Sequence, residues 1–324
     1  FTGNGAPFDM PNVSMASVIR GIRWAFLGLA IVLLLLALNW ARSFYADLLW
    51  FGSVGYEDVL IKIISTRIWL FLLGIVAFVA FGSLNLYLVL RLTRNESAPD
   101  NVPVTYETYQ MLRKIIGWIL MGVLVLLGII FAITLANQWD TVLKYLNSVP
   151  FAQSDPIFQK DISFYVFTLP LLNFLQSWTM GIIIVSLLFS SGMYLIIYGL
   201  RTEGLSLPRR IRIHLAILGA LIFLLIAVGH WLGRYELLYS TLGTVVGVGY
   251  ANMKASLPAL QLLTLVALIS AVLLLAGAMS SGYRLVIGAI ALWVGLAVLG
   301  GNIYPTIVQR FQVEPSELER ERIY

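Results

Sequence analysis

Apolar residues gather into seven long runs along this chain, at 24–41, 69–90, 115–136, 179–200, 215–232, 259–279 and 285–303. Each approaches the length of about 20 residues that a helix needs to cross the hydrocarbon of a bilayer, where every backbone N–H and C=O must pair within the helix itself. The pattern predicts an all-α, polytopic transmembrane bundle of about seven spanning helices. No small-residue cleavage pattern follows the first run, where NWARSFYADLLW comes next, so this run reads as a retained helix and not as a secretory signal.

The segments between the runs are unequal. Three are long, 42–68, 137–178 and 233–258, whereas the last is the short SSGYR at 280–284. Within 42–68, apolar and polar positions alternate at helical spacing and break at Gly52 and Gly55, which predicts two short interfacial helices joined by a turn. NQWDTVLKYLN at 137–147 reads as a continuation of the third helix out of the membrane. In DPIFQKDISFYVFTLP, 155–170, Asp155 before Pro156 starts a turn as a cap, Phe164, Tyr165 and Phe167 dip into the interface, and Pro170 bends the chain into the fourth crossing.

Composition strengthens the membrane reading: 60% of residues are hydrophobic and 11% charged, against about 25% charged in an average soluble domain. None of the seven runs contains Asp, Glu, Lys or Arg. Carriers driven by ions, pumps and voltage sensors place such residues near the midplane, so the uncharged cores weigh against those classes. Cysteine is absent, which excludes disulfides and thiolate metal sites. Nothing in the pattern points to nucleic acid or to a cofactor. The chain begins with Phe1 and not Met, which suggests a piece of a longer protein.

Basic clusters RLTRN, MLRKI and LPRRIRIH lie beside the second to fifth runs and orient the chain with its N-terminus in the cytoplasm. An odd number of crossings then places the C-terminus outside. The expected organisation is a cytoplasmic tail at 1–18, a transmembrane domain at 19–303 and the start of an extracytoplasmic segment at 304–324. Tryptophans agree: Trp40, Trp50, Trp69, Trp139, Trp178 and Trp231 fall at the outer interface and Trp24 and Trp118 at the inner one, while Trp293 lies mid-helix. Arg209, Arg210 and Arg212, with His214 among them, form an inner collar that anchors the chain or binds anionic headgroups.

Candidate chemistry is sparse. An outer interaction surface is expected from Asp155, Phe158, Lys160, Asp161, Phe164, Tyr165, Arg234, Tyr235, Tyr239, Tyr304 and Gln309. Asp155, Lys160 and Asp161 read as solvated anchors, with a ligand or ion site as the alternative. Gly243, Gly247 and Gly249 fit neither phosphate-loop spacing, and close backbone packing is the better reading. His230, beside Trp231, reads as a hydrogen-bonded structural residue, with ligation of a pigment or haem as the alternative. Asn85, Ser186, Ser190, Ser191, Gln261, Thr264 and Ser270 are candidate interhelical hydrogen-bonding residues, and Gly288, Ala291 and Gly295 form a small-residue face that packs on another helix of this chain or on a neighbouring subunit. No nucleophile elbow, HExxH or spaced ligand cluster is found.

Four motifs then carry a resemblance. DLLWFGSVGYEDVLI at 47–61, DPIFQKDISFYVFTLP, GRYELLYSTLGTVVGVGY at 233–250 and YPTIVQRFQVEPSELERERIY at 304–324 resemble, in order and spacing, a bacterial and cyanobacterial membrane family known as uncharacterised protein family 0182. The family pattern at the end is V-x-P-N-E with a later P-Y-I, from which Ser316 and Ile323 depart. The resemblance implies that a large extracytoplasmic domain follows the seventh helix, and it implies no established activity. Three functions compete: a non-enzymatic anchor and assembly module presenting an outer surface to partner proteins, a transporter or lipid-handling protein for an apolar cargo, and an accessory subunit of a respiratory or photosynthetic complex. Membrane lipids and a partner membrane protein, or further copies of this chain, are the expected partners.

Overall fold

The computed structural model of the chain describes residues 15–94, 106–198, 207–241, 247–280 and 284–313. It is helical, and among the described residues no β-strand forms; a single isolated bridge pairs Ser154 with Asp161. The long helices are α1 (Met15–Ser53), α2 (Glu57–Leu92), α3 (Tyr106–Ala136), the short α4 (Trp139–Leu146), α5 (Leu169–Tyr198), α6 (Arg209–Glu236), α7 (Leu257–Met279) and α8 (Arg284–Leu296), followed by the single turn α9 (Tyr304–Val308). Six helices among the described residues are long and apolar enough to cross a membrane: Glu57–Leu92, Lys114–Ala136, Phe164–Tyr198, Arg209–Tyr239, Asn252–Met279 and Arg284–Val313. The first expected span, 24–41, lies within α1, many of whose side chains fall outside the described residues.

The chain divides into two compact units, Phe1–Ser65 and Thr66–Tyr324. In the first, the expected pair of separate interfacial helices does not form. α1 instead runs through Ser53 and α2 starts at Glu57. Gly55, at φ 76°, takes the left-handed conformation that favours glycine, and the Gly55 and Tyr56 amides donate to the Gly52 and Phe51 carbonyls, which closes the end of α1. Glu57 and Asp58 then occupy the first turn of α2, where acidic groups face the free amides of a helix start.

In the second unit neighbouring helices run antiparallel. Gly74 and Gly82 of α2 meet Ala132 and Leu124 of α3, and Phe131 of α3 lies against Gly181 and Trp178 of α5. The Gln176 side chain donates to the Leu225 carbonyl, joining α5 to α6. α6 and α7 make an extensive contact through an alanine-rich seam of Ala220, Ala227, Ala267 and Ala271, with Phe223, Leu274 and Ala289 of α8 completing the cluster. Small side chains let helix backbones approach closely, which matters in a medium where burying apolar surface gives helices no advantage over lipid. α7 is the central helix of this unit and α8 the peripheral one. Outward faces carry exposed Leu126, Leu188, Val272 and Ile287, an apolar surface of the kind a membrane-spanning helix turns to lipid.

Three helices share one irregularity. Wide, π-type turns cover Phe164–Thr168, Asn252–Ser256 and Ala297–Ile303, and in each case a proline is the second residue beyond: Pro170, Pro258 and Pro305. Proline has no N–H to donate and its ring crowds the carbonyl four residues back, so widening the preceding turn relieves the clash while the helix continues. Pro170 therefore does not bend the chain into a new crossing; it sits in the first turn of α5, already in line.

Candidate functional site

The loop between α4 and α5 is organised around one carboxylate. Asp155 is 8% exposed, and its Oδ1 accepts hydrogen bonds from the amides of Ile157 (2.9 Å) and Phe158 (2.6 Å). Its Oδ2 accepts from the Lys160 amide (2.9 Å) and the Tyr165 hydroxyl (2.6 Å). The backbone closes the same turn, with the Asp155 amide donating to the Lys160 carbonyl and Gln159 held at φ 55°. Burial pushes the carboxyl upward, but the four donors outweigh it and hold Asp155 below the usual carboxylate value. Asp161, whose Oδ1 accepts from the Ser163 amide (2.8 Å) and the Phe151 amide (3.1 Å), is held down at about 2 chiefly by Ser163.

Aromatic rings from α6 and the turn that follows it, Leu237–Tyr239, lock this turn in place. Tyr235 meets Phe158 and Phe164 edge-on, each at 5.1 Å between centroids, and Tyr165 at 6.3 Å; Tyr239 meets Tyr165 at 6.4 Å. Leu169 and Leu232 complete the buried cluster. The Lys160 ammonium lies 5.8 Å from the Phe164 centroid. Arg234 spreads its guanidinium over Trp231, 3.3 Å from the ring centroid, and donates to the Tyr235 hydroxyl at 2.6 Å. Its Nε is buried without a hydrogen-bonding partner, a consequence of that stacking.

Of the expected surface residues, Asp155, Phe158, Lys160, Asp161, Phe164, Tyr165, Arg234, Tyr235 and Tyr239 thus come together at one end of the bundle. Four of the eleven are interior: Asp155, Tyr165, Tyr235 and Gln309 are buried, whereas Lys160, Tyr239 and Tyr304 are exposed. Tyr304 and Gln309 lie away from this cluster. Gln309 sits beside Val308 and Val313, which pack on Ala251 and Ala255, and its Oε1 has no partner. Asn252 ties the start of that region together, donating to the Gly247 carbonyl and accepting from Ser240 and Ser256. Gly247 takes φ 128°, a backbone conformation that favours glycine, but a Cβ there would stand 3.9 Å from the Leu238 carbonyl, so its conformation and not close packing calls for glycine; Gly243 lies outside the described residues.

At the opposite end, His214 leaves the basic collar expected for it. It is 7% exposed, with Nδ1 2.8 Å from the Tyr194 hydroxyl and Nε2 3.1 Å from Asn85 Oδ1. Because the Asn85 amide nitrogen donates to the Phe81 carbonyl, its oxygen accepts, which puts the proton on Nε2 and makes Tyr194 the donor to Nδ1. The chain of three links α2, α6 and α5 as a neutral, fully paired relay. Arg209 and Arg210 remain exposed, and Arg212 is half-buried with an unpartnered Nε. Among the other polar candidates, Ser270 donates across to the Ala289 carbonyl, while Thr264 bonds only within its own helix, to Leu260.

His230 accepts a hydrogen bond from the Trp293 indole at 3.3 Å, which also accounts for a tryptophan at mid-helix depth. Its Nε2 lone pair is spent inside the bundle. Among the described residues no group of three or more His, Asp or Glu is placed to hold a metal. Of the two partners expected for the small-residue face, another helix of this chain and a neighbouring subunit, the first is not met among the described residues of this unit: Gly288 and Gly295 have open space where a side chain would stand and Ala291 is exposed, while Ala289, one residue along, makes the contact with α7.

Comparison with known sequences decides the family. A family model described as Uncharacterised protein family (UPF0182) matches residues 24–324. The chain belongs to UPF0182. A UPF0182 protein of Streptomyces coelicolor is 32% identical over 330 residues, covering 99% of this chain and 33% of the relative. One of Nocardia farcinica is 34% identical over 334 residues, covering 99% and 32%, and one of Synechococcus is 39% identical over 218 residues, covering 61% and 26%. The chain spans about a third of the length of the curated UPF0182 relatives it matches. No solved structure matches it.

Proposed function

We propose that this UPF0182 chain is a non-enzymatic membrane anchor and assembly module, lying in the bacterial plasma membrane with the α4–α5 loop outside, where it presents a rigid surface to a partner protein. The observation that carries this reading is the Asp155 turn. A buried carboxylate accepting four hydrogen bonds, clamped by rings from a second helix, is a device for holding shape, and it holds Lys160 and Tyr239 at the exposed rim. Tyrosine and cationic side chains on a preformed frame lose little freedom on docking, which favours protein recognition.

The test is photo-crosslinking in intact cells with a benzoylphenylalanine replacing Tyr239, compared with the same probe at the lipid-facing Leu188. A discrete protein adduct from position 239 and none from 188 supports the module. Adducts to lipid alone at both positions overturn it.

A further inference from the structure

A second feature, independent of the α4–α5 loop, lies at the opposite end of the helices. α2 and α3 diverge there to leave an open groove of about 430 Å³, lined by Ser83, Leu86, Leu90, Gly117 and Met121 and flanked by Tyr87 and Trp118. Its volume falls within the range of roughly 300–1,000 Å³ usual for small-molecule sites. The floor is apolar, and the one hydroxyl at its deep end is already engaged, since Ser83 donates to the Met121 sulfur at 3.6 Å. Arg94 and Lys114 stand at the mouth, exposed, and among the described residues neither forms an ion pair.

The dimensions match one leaflet. From Ser83 to Arg94 the chain rises about 16 Å at about 1.5 Å per residue, and half of a hydrocarbon core of about 30 Å is about 15 Å. A molecule filling this groove therefore has its apolar length against Leu86, Leu90 and Met121 and its head at the level of two cations. Tyr87 and Trp118, 56% and 77% exposed, flank the groove about one helical turn from Ser83 and Met121, along the acyl part of its length. Gly117 forms a flat part of the groove wall: a Cβ there would make only an ordinary contact, 3.8 Å from Leu90, whereas a larger side chain would extend into the groove.

We propose that this α2–α3 groove is a binding site for one anionic phospholipid, its phosphate held by Arg94 and Lys114 and one acyl chain laid along Leu86, Leu90 and Met121. The charge pair selects the headgroup and the groove selects an acyl chain, so neither a zwitterionic lipid nor a free anion satisfies both. Each basic side chain near an anionic headgroup contributes about five- to sixfold in affinity, so the pair gives a preference of about thirtyfold.

Native mass spectrometry of the intact protein tests this, with phosphatidylglycerol, phosphatidylcholine and inorganic phosphate offered separately. The expected result is a one-to-one phosphatidylglycerol complex retained about thirtyfold more strongly than phosphatidylcholine, with no phosphate adduct. R94Q/K114Q, at two exposed positions, is expected to abolish the preference; Gly117→Leu, which fills the groove and leaves both charges, is expected to weaken phosphatidylglycerol binding by at least about tenfold. Equal retention of the two lipids, phosphate binding as strong as that of the lipid, or a preference unchanged in both variants would overturn the proposal.

Discussion

Replacing Asp155 by alanine removes one carboxylate and strands four donors. Three of these, the Ile157, Phe158 and Lys160 amides, are half-buried, while the Tyr165 hydroxyl is buried. Hydrogen bonds to a charged acceptor contribute about 1.5–3 kcal/mol each; with water replacing part of the acceptor at the half-buried amides, a loss equivalent to about two bonds sets a cost of about 3–6 kcal/mol for holding the turn closed. Because tenfold in an equilibrium corresponds to about 1.4 kcal/mol, amide exchange at Ile157, Phe158 and Lys160 is expected to accelerate by roughly a hundredfold or more. Asp155→Asn, which keeps one acceptor, is expected to fall about midway. Hydrogen exchange read by mass spectrometry on peptides covering 151–170, in lipid nanodiscs, measures this directly. Exchange in Asp155→Ala within about threefold of the parent chain would refute the assignment of Asp155 as the organising group.

Other consequences follow from the same geometry. The Asp155 carboxyl is held below its ordinary value of 3.8, so its ionised form supports the loop at every pH above that value and the support is lost as pH falls through the lowered folded value. Protection of 155–165 is therefore expected to stay flat from neutral pH down to about 4 and to fail below it, in the interval reaching toward the value of about 2 at which Asp161 also protonates; failure between pH 5 and 6 would contradict this. Gly74→Ala drives a Cβ to 2.8 Å from the Ala132 backbone and is expected to lower stability by about 1–3 kcal/mol, whereas Gly288→Ala, which meets nothing within 4 Å, leaves the thermal midpoint unchanged or raised. Tyr194→Phe takes the donor from His214 Nδ1 and is expected to cost about 1 kcal/mol, read as a lower unfolding midpoint in detergent.

Much of the fold was legible in the hydrophobic pattern, because a bilayer demands uninterrupted apolar length and little else competes with it. The later six runs coincide with six helices of sufficient length. What escaped was whatever depended on partners distant in sequence. His214 reads as one more member of a basic cluster until Asn85, 129 positions away, comes to its ring. A period of three and four residues marks Gly288, Ala291 and Gly295 as a face, yet it does not say that Ala289 on the neighbouring face makes the contact. Pro170, Pro258 and Pro305 announce a local disturbance in sequence, but whether a helix bends or widens depends on what packs around it. Asp155 was visible as the start of a turn; that its carboxylate is buried under Tyr165, and so shapes the surface without belonging to it, needed α6 beside it.

The central claim, that the aromatic and charged end around Asp155 faces outward while the Arg209–Arg210 end faces the cytoplasm, meets its most direct test in cysteine labelling, since the chain contains no native cysteine. Lys160→Cys and Arg210→Cys place single thiols at exposed positions on opposite ends. With a membrane-impermeant maleimide applied to intact cells, Cys at 160 is predicted to react at once and Cys at 210 only after permeabilisation. Labelling of position 210 from outside, with 160 protected until the membrane is breached, would contradict the account.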